Sequence, residues 1–143
     1  MTTQTQPAIP ASLPFTAPSE HNTRLLLYVM RRMAVGGLKD AHGANAMLGT
    51  FGLSYRRPLM FLRVFMAELA RASSRTITVA PCCCGRMTKH EAELLGILGD
   101  ARRRPMETHE RIAKLIGAPD CRAPLSAAIA LGDALADMGR GLD

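Results

Sequence analysis

Apolar residues recur at helical spacing through most of the chain. Over residues 22 to 35, Leu26, Val29, Met30 and Met33 fall on one face, while Arg24, Tyr28, Arg31 and Arg32 fall on another. Gly36 and Gly37 end that run, and a second helix is predicted over residues 38 to 51. Its small residues, Ala41, Gly43, Ala44, Ala46 and Gly49, suit close approach by a neighbour. Gly52 closes it, and Pro58 stands in the first turn of a third helix reaching residue 72. Leu59, Phe61, Leu62, Val64, Phe65, Met66 and Leu69 make this helix apolar over most of its circumference, which marks it as the central core helix. Three more helices follow, over residues 89 to 101, 105 to 116 and 124 to 138. The first of them is opened by a capping box, Thr88-x-x-Glu91.

Two stretches break the helical period. Residues 75 to 80 alternate polar and apolar side chains, as a short strand does, yet no second run resembles a partner. They read either as an extended connector with Ile77 and Val79 turned inward, or as an edge that pairs with a second copy in a homodimer. Residues 1 to 18 are rich in Thr, Gln, Ala and Pro, with prolines at 7, 10, 14 and 18, and read as a disordered or loosely attached tail. Residues 19 to 143 are then the helical domain. The pattern predicts an all-α fold, a single compact bundle of five or six helices with one short extended segment.

Composition agrees with helices: nine Met, abundant Leu and Ala, and no Trp. The N-terminal stretch has neither the basic nor the apolar region of a secretory signal, and arginines interrupt the two most apolar segments, so a cytoplasmic protein without a membrane span is expected. In a reducing compartment four cysteines are thiols or ligands more often than a disulfide framework. The net charge of +6 is unevenly placed, with +9 over residues 21 to 90 and −2 over residues 91 to 143.

That basic half holds the chemistry-bearing stretch. Pro81 and Gly85 bracket Cys82, Cys83 and Cys84. In an extended segment alternate side chains share a side, so Cys82 and Cys84 are expected to face one point and Cys83 the other. A zinc ion or iron–sulfur cluster would need further ligands, and Cys121 and His90 are the candidates, giving the set Cys82, Cys84, Cys121 and His90. The spacing matches no C-x-x-C pairing. Arg86, Lys89 and a helix N-terminus nearby favour a reactive thiol as an alternative, and inert packing of three small soft residues is the competing explanation. Arg31, Arg32, Arg56 and Arg57 are the candidate polyanion-binding residues, for nucleic acid or an acidic protein partner, although aromatics are too few for a stacking platform. Asp40 and His42 do not share a helical face, and no acid, base and nucleophile set emerges, so an enzyme is not expected.

The runs R-L-L-L-Y-V-M-R-R-M-A-V-G-G-L-K-D-A-H-G-A-N-A, F-G-L-S-Y-R-R-P-L, F-M-A-E-L-A-R-A and V-A-P-C-C-C-G-R-M-T together resemble a family of small alphaproteobacterial proteins known as a domain of unknown function. The resemblance spans roughly residues 24 to 100 and implies no activity. Two functions are therefore carried forward. One is a non-enzymatic regulatory or binding module whose cysteine knuckle holds a metal or senses redox state; the other is a basic helical adaptor with structural cysteines.

Overall fold

Glu20 starts the first helix: its carboxylate accepts hydrogen bonds from the backbone amides of Asn22 (2.8 Å) and Thr23 (2.9 Å), two of the donors that a helix N-terminus leaves unpaired. The computed structural model describes residues 13–142, and α1 runs over His21–Gly36 within it. Gly37 ends α1 at φ 95°, a conformation that glycine adopts without strain. The second helix, α2 (Ala41–Phe51), begins later than its small residues suggested, because Asp40 caps it by accepting the Gly43 amide at 2.9 Å. The small-residue face does what its composition implies. A Cβ added at Gly43 would lie 3.2 Å from a Val29 methyl, so glycine sets the approach of α2 to α1.

A short 3-10 turn (Gly52–Tyr55) leads into α3 (Arg56–Ala72), and α4 (Lys89–Asp100), α5 (Pro105–Ile116) and α6 (Arg122–Asp137) complete six α-helices among the described residues. The all-α expectation holds, with close agreement at most helix ends. α3 packs chiefly on α6, and its Leu59, Leu62, Phe65 and Leu69 are buried. It is not enclosed, however: Met60 is 49% and Val64 42% exposed, so its outer side meets solvent despite its apolar sequence. α1 is the more deeply set helix, burying Leu25, Leu26, Leu27, Val29, Met30 and Met33 against the rest of the core.

Residues 75–80 form an extended connector and no strand. Its backbone groups are satisfied by side chains instead of a neighbouring strand: Thr78 donates its amide to His90 Nδ1 (2.8 Å) and its carbonyl accepts from Thr88 Oγ1 (2.7 Å). Ile77 packs against the core and Ala80 is buried. The strand pairing lies elsewhere. Phe15–Thr16 (β1) pairs antiparallel with Arg86–Met87 (β2), Phe15 opposite Met87 and Thr16 opposite Arg86. Arg86 extends the attachment by donating to the carbonyls of Leu13 and Pro14, each at 2.9 Å. Of the predicted N-terminal tail, residues 1–12 lie outside the described residues, while residues 13–18 run beside the cysteine stretch.

What fixes that stretch is a buried ion pair that α1 and α4 share. Arg31 Nε donates to Glu91 Oε2 at 2.7 Å and Nη2 to Oε1 at 3.1 Å, with both side chains 2% exposed. The remaining guanidinium donors reach the carbonyls of Cys84 and Arg86, each at 2.8 Å. Glu91 in turn accepts the amides of Thr88 (2.9 Å) and Ala80 (3.0 Å), the first of these closing the capping box. Burial by itself would raise the Glu91 pKa, but hydrogen bonds from Arg31, Thr88 and Ala80 outweigh it and hold the carboxyl below its ordinary value. A depressed carboxylate contributes stability above its unfolded pKa, about 4.3, and that stability is lost as pH falls through the folded value.

Glu91→Ala removes one partner and leaves a buried, uncompensated guanidinium, so a loss of about 3 to 5 kcal/mol in denaturant unfolding at pH 7 is expected. Replacing both residues by Met should cost less than either single truncation. A loss below about 1 kcal/mol for Glu91→Ala would show that the pair does not organise the fold.

Candidate functional site

Ala80 and Cys84 are the two ends of the cysteine stretch, and each is tied to the ion pair, Ala80 through its amide and Cys84 through its carbonyl. Between them the chain turns back: the Cys84 amide donates to the Pro81 carbonyl at 3.1 Å, closing a four-residue turn with Cys82 and Cys83 at its centre. This geometry corrects the alternation expected of an extended segment. Cys82 and Cys83 do not face apart; their sulfurs lie 3.4 Å from one another in hydrogen-bond contact. Cys83 is exposed, and Cys82 and Cys84 are half-buried. Beyond the turn, Gly85 accepts the Ala17 amide at 2.9 Å, so the β1 segment flanks the thiols.

The turn opens onto a cleft of about 400 Å³ walled by the cysteines, by Ala17, Pro18 and Ser19 after β1, and by α1, from which Arg24, Tyr28 and Arg31 line it. Arg24 and Tyr28 stand one turn apart on α1, so a guanidinium and a phenol line the same cleft as the cysteines, while Arg31 is enclosed by Glu91. Arg24 is exposed. Arg32, one residue beyond Arg31, binds Asp40 through two nitrogens, Nε at 3.1 Å and Nη2 at 2.9 Å, and also reaches His42 Nδ1 at 3.1 Å. Asp40 is held well below the usual carboxylate range, first by Arg32 and then by the Gly43 amide.

The thiols are electrostatically unequal. The hydrogen bond with Cys83 and, against the opposing effect of partial burial, the Arg32 guanidinium hold the Cys82 pKa below the ordinary thiol value. The same contact with Cys82 pushes Cys83 up. The contact therefore favours ionisation of Cys82 over Cys83. Cys121 is the opposite case. It is fully buried where α5 meets α6, its sulfur directed at the Ala118 carbonyl (3.4 Å) and its amide donating to His109 Nε2 (3.1 Å). Burial raises its pKa.

The ligand set read from the sequence is not gathered into one site. Cys82 and Cys84 share the cleft, Cys121 sits at the α5–α6 junction, and His90 uses Nδ1 to accept the Thr78 amide. Among the described residues no group of three or more Cys, His, Asp or Glu side chains is arranged to hold a metal ion. The arginine set also divides. Arg31 is enclosed and engaged by Glu91, so it belongs to no surface that a polyanion touches. Arg32 is half-buried and tied to Asp40. Arg56 and Arg57 are exposed at the start of α3, with Arg57 3.5 Å from Asp137 and stacked 5.8 Å over the Phe61 ring.

The sequence places Arg24 and Tyr28 on the polar face of α1 without linking them to the cysteines, and gives Glu91 only as a capping residue. A usable signal was present: Arg31 stands one turn from the buried Leu27, at the edge of the apolar face, where a cation calls for an acid partner if it is enclosed. No helix among the described residues is long and apolar enough to cross a membrane. Comparison with curated proteins and comparison with solved structures give no match. The family comparison does: residues 5–140 match a family of unknown function, DUF6628, and the chain belongs to that family.

Proposed function

We propose that this chain is a non-enzymatic regulatory module whose cysteine turn responds to thiol chemistry, with Cys82 as the reacting sulfur. The observation that supports this reading most directly is the 3.4 Å contact between Cys82 and Cys83 at the mouth of a cleft, beside a guanidinium that favours the thiolate. Inert cysteines have no need of that arrangement, and Cys121 shows what an inert one looks like in the same chain. A response has a route outward. The turn is bolted to Arg31 and Glu91 at both ends, so a bulky or charged group added at Cys82 acts on the next free element, the β1 segment held by Gly85 and Arg86. Metal capture by this knuckle is the variant of the proposal that Cys82 and Cys83, as adjacent soft donors, serve better than the widely spaced four-residue set.

Alkylation by iodoacetamide across a pH series, with each site followed by peptide mass, tests the reading. Cys82 should react first, with its midpoint below that of an ordinary thiol, and Cys121 last. Arg32→Gln should shift the Cys82 profile toward higher pH. A wild-type Cys82 that reacts no faster than a cysteine in an unfolded peptide would remove the proposal.

The exposed pair Arg56 and Arg57 supports a second reading, an adaptor for nucleic acid or an acidic protein. They adjoin a shallow cleft of about 310 Å³ with Leu53, itself 94% exposed, at its rim. Binding of DNA or RNA through these residues should fall steeply between low and high salt as counterions are released, and should vanish when both are changed to Ala. Binding indifferent to salt would exclude it.

A further inference from the structure

We infer that the cleft in front of the cysteine turn receives a small anionic disulfide, of the kind formed by an acidic thiol peptide, and that Cys82 takes up one half of it as a mixed disulfide. The inference rests on the thiol reading above and names its substrate class. Its own support is the lining of the cleft, to which α1 contributes Arg24 and Tyr28 from successive turns beside Cys82 and Cys83.

The size is suitable. A cleft of about 400 Å³ is at the small end of the range for sites that hold small molecules, enough for a short peptide's reacting half. Its charge selects the ligand. Arg24 is exposed, and no ion pair to a carboxylate engages it among the described residues. The nearest acid in sequence, Glu20, is engaged in capping α1 through the Asn22 and Thr23 amides and the Thr23 hydroxyl. Asp40, on the far side of Cys82, is already matched by Arg32, and Glu91 is enclosed by Arg31. The charged residues that line the cleft, Arg24 and Arg31, are both cations, and no acid is among its lining residues. An uncharged oxidant gains nothing from Arg24, whereas a carboxylate on the incoming disulfide finds a cation, and a phenol beside it, in the same cleft as the sulfur that attacks.

The exchange balances without another reagent. The Cys82 thiolate attacks one sulfur of the incoming disulfide; a new S–S bond forms to Cys82, the old S–S bond breaks, and its electron pair leaves with the second half, which takes a proton from solvent. Cys82 is oxidised and the departing thiol is the reduced product. Cys83, in contact with the Cys82 sulfur, is positioned to be covered by the adduct, and Tyr28 and Ala17 to Ser19 border the space that the adduct fills.

The test uses the full chain, reduced, and two disulfides, oxidised glutathione, which is anionic, and bis(2-hydroxyethyl) disulfide, which is neutral, each rate being divided by that of the same disulfide with a cysteine in an unfolded peptide so that leaving-thiol reactivity cancels. Adduct formation is followed by intact mass and located by peptide mapping, and iodoacetamide reactivity of Cys82 is recorded on the same preparation. The anionic reagent should modify Cys82 faster, by roughly twofold to fivefold at low salt, the scale of one partly exposed ion pair. Added salt should shrink that ratio, and Arg24→Ala should bring it close to one. If Cys82 reacts readily with iodoacetamide but shows no preference for the anionic disulfide, or if the preference survives in Arg24→Ala, this inference is overturned while the thiol reading stands. A Cys82 slow toward iodoacetamide and both disulfides overturns the thiol reading, and this inference with it.

Discussion

Arg31 and Glu91 impose the constraint on which the cysteine region depends. Removing two ions from water costs several kcal/mol each, and the cost is offset only where geometry and additional hydrogen bonds satisfy them fully. Here the carboxylate accepts from Arg31 and from two backbone amides, and the guanidinium donates to the carboxylate and to two backbone carbonyls. Those backbone groups come from four places: the end of the connector, the cysteine turn, β2 and the N-cap of α4. A segment of loop with little apolar surface of its own thereby acquires one conformation, because any other would strand a buried charge.

The chemistry of the site follows from how that half of the protein distributes its cations. Arg31 is neutralised inside, Arg32 is matched by Asp40 yet still acts on the Cys82 sulfur, and Arg24 faces the cleft. Three arginines on one helix thus have three different roles, set by the position of two acids. The thiol pair gains from this arrangement a rigid seat, a guanidinium that lowers the pKa of Cys82 and a cleft lined by the exposed Arg24. For a family of unknown function, these features confine the question to a small region of the molecule.

Helices were legible in the sequence because their signals are local. Glycines at 36, 37 and 52, Pro105 and the Thr88–Glu91 box define ends that the fold reproduces within a few residues. What the sequence did not disclose depends on partners distant along the chain. Residues 75–80 alternate like a strand, but His90, Thr88 and Glu91 satisfy their backbone, so no ladder forms. The three cysteines were expected to alternate, and the hydrogen bond from Cys84 to Pro81 curls them into a turn that brings Cys82 and Cys83 together. α3 is apolar nearly all round, yet the bundle has only enough neighbours to cover one side, leaving Met60 and Val64 in solvent. Arg31 looks in the sequence like the surface arginines around it, because composition does not show which cation has an acid waiting sixty residues on.

Native-state hydrogen exchange at the amides of Ala80 and Thr88 tests the organising role of the ion pair most directly, because both donate to Glu91 and neither lies inside a helix. If the pair fixes the cysteine region, these two amides exchange only with the global opening of the domain, as slowly as interior amides of α4 such as Leu94. Exchange as fast as that of exposed connector residues such as Thr76 would mean that the carboxylate does not hold them, and would contradict the account.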